Sequence, residues 1–215
     1  FDGTTLGLAN GLTGTTGSGL TYNISVSSGV ATIVLSKPAG VTALDMQSII
    51  DSIQYKNTSQ DPTAGTRTAT LLQIKDTGGV LNAGVDTALL AISSLIDVIP
   101  VNDAPTLSTI TNSGNYEVGD PPFNIFNNAI ISTIEAAQAI KSFTFTVSGL
   151  NDGASEHIKI DGTTINLTNG VVGVTSGNGM VYMVSVSAGT ATVTLSNSSG
   201  VSAISTQSII NGMQY

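Results

Sequence analysis

The stretch from Leu20 to Tyr55 recurs without a gap from Met180 to Tyr215. Tyr22 matches Tyr182, Gly40 matches Gly200, Gln47 matches Gln207 and Tyr55 matches Tyr215, a period of 160 residues. Upstream, the run Asp2-Gly-Thr-Thr recurs at Asp161 one residue out of phase, so the loop between Asp161 and Tyr182 carries one extra residue. Solenoid coils repeat every 20 to 50 residues or so, and this period is far longer, so each unit must be a domain with its own core. The chain enters one unit part-way and stops part-way through the next, which reads as a window on a longer tandem array.

Within the units, apolar residues alternate with Thr and Ser at Tyr22–Val26, Ala31–Leu35, Thr68–Ile74, Phe143–Val147 and Ala191–Leu195. Alternation with a period of two marks half-buried antiparallel strands. Turn pairs such as Ser28-Gly29, Asp161-Gly162 and Ala188-Gly189 separate them at about ten-residue spacing, the pattern of an all-β sandwich. One segment per copy breaks the pattern. Thr42–Ile53 and Ser202–Met213 place apolar residues at helical spacing behind a Thr or Ser cap, which predicts one short helix per repeat. Glu135–Ala139 is a third, weaker helical candidate.

Composition narrows the function. Six basic residues stand against 14 acidic ones, a net charge of −8 that repels both nucleic acid and anionic membrane surfaces. No apolar run approaches the roughly 18 to 20 residues of a membrane span, so membrane insertion is not expected. Cysteine is absent, which excludes disulfides, thiolate metal sites and thiol catalysis. The single histidine, His157, has no second histidine, cysteine or nucleophile elbow to work with, and an enzyme is not expected. Thr ladders at Thr66-Thr68-Thr70, Thr144-Thr146 and Thr192-Thr194 read as solvent-facing strand positions. Aspartates outnumber glutamates and sit in Gly- and Asn-rich loops, where hard oxygen ligands for calcium are usually found.

Between the copies, Pro100-Val101-Asn102-Asp103-Ala104-Pro105 brackets an Asn-Asp pair with two prolines, a short stiff connection. The expected division is residues 1–101 as the C-terminal part of one repeat, 102–105 as a linker, and 105–215 as the N-terminal part of the next. Val101-Asn102-Asp103-Ala104-Pro105 resembles the cadherin-type inter-domain linker. Together with the stretches from Tyr55, Gly84 and Phe143, the chain is similar to the cadherin-like repeats of very large bacterial adhesins and RTX-type surface proteins.

That resemblance implies cadherin/Ig-like sandwiches on the bacterial cell surface, forming a stalk that calcium stiffens at each junction. It places the calcium ligands at Asn102 and Asp103, with Glu117 in the first loop after the linker. Asp76 and Asp86, which flank the loop Thr77–Val85, are further candidates. The implied partners are neighbouring repeats of the same chain. The alternative is that the repeats themselves assemble into an extracellular fibre through open strand edges, or bind a surface ligand such as a glycan or a partner cell.

Overall fold

A computed structural model describes all residues from Phe1 to Tyr215. The chain is predominantly β, with several antiparallel sheets and two α-helices. It divides into two compact units, Phe1–Ile99 and Pro100–Tyr215.

The first unit opens with a three-stranded sheet of β1 (Thr13–Thr15), β2 (Thr21–Ser27) and β3 (Val30–Ser36), in that spatial order. Strands β2 and β3 form a two-residue hairpin in which Ser27 faces Val30. The turn residues Ser28 and Gly29 have φ of 49° and 78°. Both central residues are therefore left-handed, the arrangement whose twist matches that of the flanking strands. The same geometry recurs at Ala188 and Gly189 in the second unit, with φ of 46° and 70°. Helix α1 (Ala43–Asp51) follows, its first turn capped by the Thr42 hydroxyl, which accepts from the Asp45 N–H at 3.1 Å. The unit closes with a long hairpin of β4 (Gly65–Lys75) and β5 (Thr87–Val98), bulged between Leu71 and Gln73. Only Leu20, Ile24 and Ile49 are fully buried apolar residues here. The β4–β5 hairpin leaves Leu89 and Leu95 82% and 70% exposed.

The second unit holds β6 (Thr106–Thr111), β7 (Phe126–Ser132), β8 (Ile140–Ser148), β9 (His157–Ile160), β10 (Thr163–Asn166), β11 (Val172–Val174), β12 (Val181–Ser187), β13 (Thr190–Val201) and α2 (Ala203–Asn211). A four-stranded sheet runs β11-β12-β13-β8, while β6 pairs with β7 and β9 with β10. The chain after α2 joins the β9 edge: Gln214 exchanges main-chain hydrogen bonds with Lys159, and Tyr215 does so with Phe123. Ile158, Ile160, Ile165 and Leu167 from around β9 and β10 pack with Val184, Val193 and Leu195 from β12 and β13 into one buried cluster. Helix α2 caps with the Ser202 hydroxyl on the Ser205 N–H. It also presents Gln207 and Asn211 to β7, where their amide oxygens accept from the Ile131 and Ala129 N–H groups at 2.9 and 2.8 Å.

The strands and helices expected from alternation and capping are present, and their ends have local causes. Strand β13 runs on to Val201, whereas its counterpart β3 stops at Ser36. Ser198 of the second copy is Pro38 in the first, and proline has no N–H to give a neighbouring strand. The third helical candidate does not form a helix. Ile134 and Ala137 adopt left-handed φ of 66° and 64°, so Glu135 sits in an irregular turn between β7 and β8.

Candidate metal centre

The turn between β7 and β8 meets the segment that opens the second unit. The Asp103 N–H donates to Glu135 Oε1 in a short hydrogen bond. Gln138 Nε2 donates to Asn102 Oδ1 at 2.7 Å, and Asn102 Nδ2 donates to the Asp103 carbonyl at 3.1 Å. The turn is itself braced, with the Glu135 N–H donating to the Thr133 carbonyl at 2.8 Å and the Thr133 hydroxyl donating to the Glu135 carbonyl at 3.1 Å. Two left-handed non-glycine residues flank Glu135, and such conformations persist only where the surroundings hold them. An open-sided pocket of about 390 Å³ lies alongside, lined among others by Asn102, Asp103, Thr133, Gln138 and Lys141.

The second oxygen of this glutamate, Glu135 Oε2, is buried and has no hydrogen-bond partner. A carboxylate oxygen without water or a donor loses roughly 1 to 3 kcal/mol or more of solvation, which a cation beside it would restore. Asn102 Oδ1, the Asp103 carboxylate and Glu135 Oε2 are oxygen donors of the hard type that calcium takes. Nowhere do three or more His, Cys, Asp or Glu side chains converge around one point. Calcium uses six to eight oxygens, so an ion held here would draw on main-chain carbonyls and water for most of its shell.

The other candidate ligands are placed elsewhere. Glu117 lies in an exposed turn, its N–H donating to Asp120 Oδ2 at 3.0 Å, and it is not among the residues lining the pocket. Asp76 and Asp86 belong to the first unit, at the foot of the loop joining β4 to β5, where the Asp76 N–H donates to the Asp86 carbonyl at 2.8 Å. Asp76 Oδ1 accepts from the Gly78 N–H at 2.8 Å, a turn-forming contact. Asp86 faces Lys75 Nζ at 3.1 Å. The Thr87 hydroxyl first, and Lys75 second, hold its carboxyl below the usual aspartate value.

Two further carboxylates serve as clamps on the chain. Asp161 accepts from the Thr175 hydroxyl, from the Asn178 N–H at 2.8 Å and from Asn178 Nδ2 at 2.7 Å, fixing the loop between β11 and β12. Its counterpart Asp2 accepts from the Ser18 N–H and hydroxyl at 3.0 and 2.7 Å. Hydrogen bonds from Thr16 and then Ser18 lower the Asp2 pKa. The buried Glu156 accepts from the Asn151 and Asp152 N–H groups, both at 2.7 Å, and from the Tyr215 hydroxyl at 3.1 Å. The main-chain donor at Asp152 is the chief cause of its lowered pKa, against the opposing effect of burial. Tyr215 responds in kind: burial, then its bond to Glu156, raises the phenol above its ordinary value. His157 is exposed on β9, with Nδ1 2.8 Å from the Ser155 carbonyl.

Glu135 and Gln138 are the residues that sequence reasoning missed, because their stretch reads as helix-forming and its turn geometry is set by contacts with Asn102 and Asp103. No helix is long and apolar enough to cross a membrane. No protein-family model, curated protein or solved structure matches the chain.

Proposed function

We propose that the chain is a structural repeat from the stalk of a giant bacterial surface adhesin, built of cadherin/Ig-like sandwiches and stiffened by calcium where one repeat follows another. In this reading the proteins of the cell exterior are its setting, and neighbouring repeats of the same chain are its partners. It holds a distal adhesive region away from the cell and performs no catalysis.

The observation that carries the reading is the buried, unpartnered Glu135 Oε2 beside the Asn102–Asp103 pair. A calcium ion that binds only the folded arrangement stabilises it by linkage, by about 2.7 kcal/mol when free calcium is a hundredfold above Kd. The ion would tie the segment entering the second unit to the β7–β8 turn and so restrict the hinge at the two prolines. Asn102, Asp103 and Glu135 are its proposed ligands, while Glu117, Asp76 and Asp86 are assigned lesser or accessory parts.

Calorimetric titration of calcium into the protein tests this directly. The wild-type chain should bind, and Glu135→Gln should weaken binding at least about tenfold, equivalent to roughly 1.4 kcal/mol. Equal affinity in the two proteins would remove Glu135 from the site. The reading in which repeats assemble with one another is favoured by a separate observation, the unpaired strand edge of β3.

A further inference from the structure

The two copies of the repeat offer a comparison that one copy alone could not, because the same sequence positions are packed in the second unit and open in the first. Val193 and Leu195 of β13 are 0% exposed, whereas Ile33, at the position of Val193, is 38% exposed and Leu35 is only half-buried. Leu167 is 2% exposed against 53% for Leu8, and Met213 is 2% exposed against 46% for Ile53. Sequence does not account for these differences, since apolar residues stand at every one of the positions.

The second unit identifies what covers them. Strand β8 lies along β13 with Phe145 opposite Val193 and Phe143 opposite Leu195. Strand β9 lies along β10 with Ile158 opposite Ile165 and Lys159 opposite Thr164. Strand β7 presents the Ala129 and Ile131 N–H groups to Asn211 and Gln207 of α2. In the first unit all three acceptors are in place. Strand β3 is the outer strand of its sheet, and Thr5 and Leu6 stand at the positions of Thr164 and Ile165 without a strand beside them. Gln47 stands exposed on α1 at the position of Gln207. Phe1 falls at the position of Ile160, the last residue of β9, and its carbonyl accepts from the Thr4 N–H at 2.8 Å.

We infer that the first unit is a strand acceptor whose occupant is a second copy of the segment 126–159, supplied in trans by another repeat of this sequence. The β8 part of that segment extends the sheet at β3, with Phe145 opposite Ile33 and Phe143 opposite Leu35. Its β9 part runs beside Thr5 and Leu6 and ends where Phe1 begins, and its β7 part donates to Gln47. Edge strands with unpaired N–H and C=O groups are the usual templates for such addition, with main-chain hydrogen bonds giving affinity and alternate side chains giving specificity. The register is dictated at three separate places by one continuous segment, so no other stretch of the chain meets all three. Calcium plays no part in the inference, and it stands or falls independently of the metal centre.

A synthetic peptide of residues 126–159 added to the intact protein tests it, read by hydrogen exchange of the backbone amides. Amides of residues 30–36 and 4–7 should exchange at least about tenfold more slowly with peptide present. Ile33→Asp in the protein should abolish the protection, and its partly exposed position makes that change compatible with folding. A peptide carrying Phe145→Asp, which leaves the protein untouched, should also fail to protect. Protection confined to the β4–β5 hairpin, protection indifferent to both substitutions, or none at all would overturn the inference. So would a chain that is already dimeric without peptide, with β3 amides protected, because another β3 edge would then fill the place.

Discussion

Truncating one matched pair of leucines should separate the two copies of the repeat quantitatively. Leu195 is fully buried in the cluster formed by β9, β10, β12 and β13, and it faces Tyr182 on one side and Phe143 on the other. Leu→Ala at such a site loses the transfer free energy of the removed carbons and leaves a cavity that close-packed neighbours fill poorly, about 3 kcal/mol or more. For a unit of this size the change corresponds to a fall in Tm of roughly 12 °C. Leu35 occupies the same place in the first copy, opposite Tyr22, but with no strand on its far side. Water already reaches that side, so Leu35→Ala removes less buried area and opens no closed cavity, and a loss of about 1 kcal/mol follows. Thermal unfolding followed by hydrogen exchange reports each unit separately in one experiment. Equal losses at the two positions would refute the reasoning, since they would mean the β3 face is covered as completely as that of β13.

Other consequences can be checked with the same methods. Glu156 has a folded-state pKa below its unfolded value, so its ionised form stabilises the fold at and above the ordinary glutamate range. That contribution is lost as pH falls through the depressed folded value. Acid unfolding of the second unit should accordingly become less steep in Glu156→Gln, and an unchanged pH profile would count against the clamp. Gly173 lies opposite Tyr182, and a Cβ there would stand 2.6 Å from the ring carbon that bears the hydroxyl. Gly173→Ala should therefore displace the ring and lower stability by about 1 to 3 kcal/mol in a denaturant titration, and Gly14→Ala should act in the same direction through Tyr22. If either substitution is neutral, the close approach of ring and backbone is not sustained in solution.

Much of the secondary structure was legible from residue pattern alone. Thr42 and Ser202 cap their helices because each hydroxyl precedes an apolar run at helical spacing, a purely local relation. Ser28-Gly29 and Ala188-Gly189 turn the chain because the following glycine admits a left-handed backbone, which is also local. Burial was not legible in the same way. Ile33 and Val193 have equivalent sequence surroundings, and only the presence of β8 in the second unit distinguishes them.

The candidate site was legible in part for the same reason. Asn102 and Asp103 announce themselves between prolines, but Glu135 reaches them from 32 residues away. Its stretch, Glu-Ala-Ala-Gln-Ala, has the composition of a helix, and the turn it adopts is imposed by tertiary contacts. Asp86 looked equally available for a metal, yet Lys75 and Thr87 engage its carboxylate, a pairing that depends on the register of the β4–β5 hairpin.

The central claim is that calcium rigidifies the start of the second unit through Asp103 and its neighbours. A thermal melt of the intact protein with and without millimolar calcium, beside an Asp103→Ala variant, tests it most directly. The account predicts that calcium raises the Tm of the wild-type second unit by several degrees and that the variant loses most of that gain while folding normally without the ion. A wild-type melt that is the same with and without calcium would contradict it, and would leave Asn102–Pro105 as a rigid turn between repeats.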